Sequence, residues 1–293
     1  MPRPPFIAIG LLAACVLAYE VLLTRLFGIV LWHHFAYMII SAAMLGYGAS
    51  GAALAVFAER LAARFGAAYV LAAAALAVLM PGAFLLAQQI SFNPLELLWD
   101  PAQPWRLLAV YLLMMLPFFC GGLGIGLVFA RCGAQAARVY AFDIVGAGAG
   151  CLGVIAALFA MPPARVLSVL TATALLAAAI AAAELKTGPR RLAGLLFGLA
   201  LLAALAMPAI PVRLSPYKDL SQALSVAGAR VVEERSGPLG QITVVENTRV
   251  PLRDAPGMSL NAASEPPPQL AVFVDGNGPS ALTRFTGALE PLA

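Results

Sequence analysis

The stretch from Val139 to Met161, VYAFDIVGAGAGCLGVIAALFAM, constrains this chain more than any other, because it is long and apolar and carries a single charge, Asp143. A hydrocarbon core about 30 Å thick is spanned by roughly 20 apolar residues rising about 1.5 Å each, and this run meets that length. Arg131 and Arg138 precede it, while Gly146, Gly148, Gly150 and Gly153 crowd its first half. The pattern predicts a membrane helix with a cytoplasmic end, a face on which a second backbone can pack closely, and one polar residue to account for.

Similar runs recur along the chain and together predict about seven spans: Phe6 to Leu31, Phe35 to Ala58, Phe65 to Gln88, Leu107 to Ala130, Val139 to Met161, Arg165 to Ala183 and Leu192 to Pro211. Composition agrees: 62% of residues are hydrophobic and 11% charged, against about 25% charged in an ordinary soluble domain. The fold class expected is an all-α polytopic membrane bundle over residues 1–212, with a small β-rich module over 213–293. The N-terminus, MPRPPF before an apolar run, has the outline of a signal peptide. The run continues past Glu20 and Arg25 to Trp32 without a cleavage site, which predicts a retained helix.

Orientation follows from Lys and Arg. Arg3, Arg60, Arg64, Arg131, Arg138, Lys186, Arg190 and Arg191 fall on one side of the predicted bundle, and chiefly Arg106 and Arg165 on the other. The positive-inside rule places the N-terminus in the cytoplasm, and seven spans then leave the C-terminal module outside, with the loop Gln89 to Arg106 and its Trp99 and Trp105. The net charge of +4 is spread over loops, which gives no basic face for nucleic acid. Cys15, Cys120, Cys132 and Cys151 lie in or beside apolar runs without ligand spacing, so neither a disulfide framework nor a metal site is indicated.

Beyond Arg213 the pattern changes to short β-branched runs, ARVVEE, QITVVE and QLAVFVDG, separated by SGPLG and DGNG. These predict a β-meander in which Asp275-Gly276 is a hairpin turn. A module of this size, interrupted by DAPGMSLNAASEPPP, has a thin core and needs a partner surface.

Two runs fit G-x-G-x-x-G, Gly46 to Gly51 and Gly148 to Gly153. Dinucleotide binding requires that motif between a strand and a helix, whereas both lie inside predicted spans. Gly46, Gly122, Gly126, Gly146 and Gly150 therefore read as helix-packing positions. Glu20, Arg25, His34 and Asp143 are the intramembrane polar candidates. One reading pairs Glu20 with Arg25 and bonds Asp143 to Tyr140, Arg138 or a neighbouring helix. The other makes Glu20, His34 and Asp143 a cation or proton path. Depth separates Glu20 from Asp143 by about 14 Å at about 1.5 Å per residue, so they are not expected to touch. His33 and His34 beside Trp32 read as interfacial, without a third metal ligand.

Several stretches resemble the membrane-fused relatives of spermidine synthase: Tyr19 to Gly51, Leu116 to Arg131, Arg138 to Gly153, SPYKDLSQAL (Ser215 to Leu224), SGPLGQITVVE and AVFVDGNG. That resemblance implies a multi-span region of the bacterial inner membrane followed by an aminopropyltransferase-like domain, whose small β-domain precedes a Rossmann-like catalytic part. It places Gln241 at the glutamine of a Tyr-Gln pair that helps bind the aminopropyl donor, with Gly240 in place of the tyrosine, and aligns Val274-Asp275-Gly276 with a Leu-Asp-Gly strand end. The donor loop and catalytic aspartates of the family have no counterpart before Ala293. Aminopropyl transfer needs a carboxylate to deprotonate the attacking amine, so the chain alone is not expected to be a catalyst. The sequence thus predicts a truncated or split protein: a membrane anchor, without a cofactor of its own, for a methyltransferase-like domain on a separate chain. A polyamine or cation transporter and a structural subunit of a homo- or hetero-oligomeric complex are the alternatives.

Overall fold

The computed structural model describes residues 4–31, 35–188, 190–206, 210–255, 265–284 and 287. His33, His34 and most of the Pro/Ser-rich insertion lie outside them.

Among the described residues, six helices are long and apolar enough to cross a membrane. They are α1 (Phe6–Val30), α2 (Ala36–Val56), α4 (Phe65–Ala87), α5 (Gln103–Arg131), α6 (Ala136–Ala160) and α7 (Pro163–Glu184), with a short α3 (Ala58–Ala63) between α2 and α4. The predicted seventh span is a shorter apolar helix, α8 (Arg190–Ala206). At the start of α7, Arg165 donates to the Ala204 carbonyl near the end of α8, so the two helices run antiparallel over most of their length.

Helix α1 is the axis of the bundle. It is apolar over most of its length, and α2, α5, α6 and α7 all pack on it. Close approach is bought by small residues, because lipid offers no hydrophobic drive between helices and packing must supply the attraction. A Cβ added at Gly146 or Gly150 of α6 would overlap the backbone of Gly10 or Ala14 of α1. Gly46 of α2 meets Met115 and Phe118 of α5, and Gly122 and Gly126 of α5 meet Ser50 and Leu54 of α2. Pro81 interrupts α4, and Tyr19 of α1 donates to the neighbouring Met80 carbonyl at 3.1 Å.

The C-terminal module holds α9 (Asp219–Ser225) and a four-stranded antiparallel meander of β1 (Ala229–Ser236), β2 (Gln241–Asn247), β3 (Gln269–Val274) and β4 (Asn277–Thr283), in the order β1-β2-β3-β4. Thr243, Val245, Ala271 and Phe273 share one face of the sheet, and Leu220 of α9 packs there against Val245, Ala271 and Phe273. The two-residue turn Asp275-Gly276 has both φ angles positive, 52° and 72°, as a hairpin with right-handed strand twist requires. Helix α9 and strand β4 are additions to the three strands expected.

Candidate functional site

The module meets the bundle at the last turn of α1, where helix geometry leaves carbonyls without an intrahelical partner. Two of them are taken by the tail: Ser215 N–H donates to the Val30 carbonyl at 3.0 Å, and Lys218 Nζ to the Gly28 carbonyl at 2.8 Å. An ammonium at a helix C-terminus also complements the helix dipole. Lys218 donates in addition to the Asp275 carbonyl, which ties the hairpin turn to the helix end. The linker is held further by Gln88 at the end of α4. Its side chain donates to the Pro211 carbonyl at 3.1 Å and accepts from Arg213 N–H at 2.7 Å.

Arg25 completes this joint. Its Nη1 and Nη2 donate to the two carboxylate oxygens of Asp275, each at 2.9 Å, and Asp275 Oδ1 also accepts from Gln241 N–H at 2.8 Å. The side chains are 11% and 19% exposed, so water screens this fork-to-fork pair weakly. Lys218 is wholly buried. Burial pushes its ammonium from the ordinary 10.5 down to about 8, against the pull of Asp275 and Asp219 toward the charged form and with Arg25 adding to the fall.

This geometry corrects the predicted pair of Glu20 with Arg25. Five residues along a helix rotate a side chain by roughly 140°, so the two point to different faces. Glu20 makes no ion pair or hydrogen bond among the described residues, and neither does Asp143, so the bonds expected to Tyr140 or Arg138 do not form. Glu20 and Asp143 are each half-buried, on α1 and α6, and Tyr47 of α2 lies within electrostatic reach of both. His34, the third member of the expected path, lies outside the described residues.

Asp275 and Gln241, the substrate-binding candidates, come together, with the Asp275 carboxylate committed to Arg25 and the Gln241 amide. The Gln241 side chain donates to Glu234 across the β1-β2 hairpin. Two cavities flank the joint. One of about 340 Å³ lies between the last turns of α1 and α4, the first half of α5 and the linker, lined by Phe27, Phe84, Phe92, Arg213 and Tyr217 among others. The second, about 280 Å³, lies between the sheet and the bundle, lined by Ile29, Pro162, Leu220, Glu234, Gln241 and Thr243.

The sequence marked Ser215 and Lys218 only as part of SPYKDLSQAL and gave them no role, and it did not mark Gln88; the partners of all three are backbone groups far along the chain. It also missed Glu184, whose carboxylate accepts from Ile7 N–H at 3.4 Å and Ala8 N–H at 3.2 Å and so caps the opposite end of α1. Among the described residues no cluster of His, Cys, Asp and Glu is placed to hold a metal ion. No family model, curated protein or solved structure matches this chain.

Proposed function

We propose that this chain is a membrane platform of the spermidine synthase-like kind, which holds a β-module in a fixed position on the extracytoplasmic side and presents it to an aminopropyltransferase-like domain. The reading counts α8 as a seventh crossing of a bacterial inner membrane, with the N-terminus inside. The observation that carries it is the joint. A bidentate Arg25–Asp275 pair and a buried Lys218 fix the hairpin turn to the end of α1, so the module is part of the bundle rather than a tethered appendage. The sheet keeps its two outer edges, on β1 and β4, without a strand partner among the described residues, and such edges accept a further chain.

The test adds a separately produced aminopropyltransferase-like domain to membranes holding the chain, and measures binding and aminopropyl transfer to putrescine. The platform reading expects saturable binding that Asp275→Ala weakens, and transfer only when the domain is present. Equal binding to membranes lacking the chain would contradict it.

A second reading, transport of a polyamine or other cation, is favoured by Glu20 and Asp143, two intramembrane carboxylates without ion-pair partners that share Tyr47. It expects Glu20→Gln and Asp143→Asn each to abolish cation flux into vesicles while the bundle stays folded. Unchanged flux in both variants removes it.

A further inference from the structure

At the end of the bundle opposite the β-module, α4 begins and α5 ends, and a cavity of about 420 Å³ opens between them and the loop after α7. Its lining includes Arg64, Phe65, Gly66, Arg131, Leu185 and Thr187. Arg64 immediately precedes α4, and Arg131 is the last residue of α5, so both guanidiniums stand where apolar helix gives way to loop. Gly66 brings Thr187 close, since a Cβ there would overlap the Thr187 hydroxyl.

The charge balance of this cavity sets it apart from the joint at the other end. There, Arg25 is matched by Asp275. Here, two arginines face one cavity whose lining contains no acidic residue, and neither makes an ion pair among the described residues. Glu184, next to Leu185 of the lining, is committed to the first amides of α1, and Glu59 of α3, five positions before Arg64, forms no ion pair with it among the described residues. Both arginines are exposed, and together they give the mouth of the cavity a positive potential that an anion would neutralise. Their planar forks match the oxygens of a phosphate, which each can take bidentately. Phe65 and Leu185 give the cavity an apolar side.

We propose that this cavity binds a phosphate group, held between Arg64 and Arg131 with the Thr187 hydroxyl as a third donor, and that its natural source is the headgroup of an anionic phospholipid. Basic pockets between membrane helices at headgroup depth are suited to such lipids, because the phosphate stays in the polar layer while the acyl chains run along the bundle. The site fastens the α4, α5 and α7 ends, which no ion pair among the described residues joins.

The experiment follows the thermal unfolding midpoint of the full chain in neutral detergent, titrated separately with short-chain phosphatidylglycerol, phosphatidylcholine and inorganic phosphate. A ligand that binds only the folded state raises that midpoint in proportion to its occupancy. Phosphatidylglycerol is expected to raise it at lower concentration than phosphatidylcholine. Arg64→Gln and Arg131→Gln should each weaken the response about tenfold, as loss of a charge-assisted contact does, and the double variant should abolish it. Arg138→Gln, outside the cavity, should leave it unchanged. If inorganic phosphate alone reproduces the full effect and loses it in the double variant, the site stands with a free anion as its source. An equal response in wild type and double variant, or none to either phosphate source, overturns the proposal. The single variants keep the test decisive should the double variant fold poorly.

Discussion

The bundle and the β-module are stabilised in opposite ways. The bundle is held by contact between small residues and by a largely apolar helix, α1, on which four others pack. The module has a buried core of Leu220, Val245, Ala271 and Phe273, and its position depends on a few polar bonds to the end of α1. In lipid, polar bonds are scarce and shape decides packing. At the surface, where charged groups are hydrated when free, a bond counts most where burial denies water the alternative. The module is therefore expected to detach from the bundle before the bundle unfolds.

The comparison can be broken most severely from the bundle side. Replacing Gly146 or Gly150 by leucine puts a branched side chain into the backbone of α1, and the expected loss is about 3 kcal/mol or more. It should lower the thermal midpoint and release the module at the same time. Asp275→Ala should instead separate the two regions. It leaves the Arg25 charge buried and unpaired, at a cost of about 3 kcal/mol. Limited proteolysis should then cut within residues 213–218 while the helical signal of the bundle stays intact. Lys218→Met keeps the buried stem and removes two bonds to carbonyls, for a smaller loss of about 1–2 kcal/mol in the same assay.

The pH dependence of docking sharpens the same point. Lys218 titrates near 8 when docked and near 10.5 when released. Between those values the released form binds more protons, so docking should strengthen as pH rises from about 8 toward 10.5 and be weakest below 8. Lys218→Met should flatten that slope in a proteolysis series taken across the window. The smallest effect belongs to glycines that touch nothing. Gly148 and Gly153 of α6 have no neighbour within 4 Å of an added Cβ, so alanine there should cost nothing and gain at most about 1 kcal/mol from its better helix propensity. A large loss at Gly148 would show that α6 packs on a partner absent from a single chain.

The spans were legible because length and apolarity are local properties, and the Asp275-Gly276 turn because its backbone angles select those two residues. The joint was not legible. Arg25 and its partner Asp275 stand 250 positions apart, and within α1 the nearest carboxylate in sequence, Glu20, suggested a pair that helix rotation forbids. Lys218 answers backbone carbonyls, which carry no sequence signature. Strand β4, read as NGPSALT, contains glycine, proline and serine, and pairing with β3 imposes its conformation over its own propensity. Seven residues of α9 are too few for a periodic signal.

The most direct test of the account is the distance distribution between spin labels on the module and on the loop between α4 and α5. Leu239 and Leu98, 96% and 88% exposed, can be replaced by labelled cysteines in a chain whose native cysteines have been substituted. A fixed joint predicts one narrow distribution for the wild-type joint and a broad one in Asp275→Ala. A distribution that is already broad with Arg25 and Asp275 intact would contradict it, and would make the module a tethered appendage.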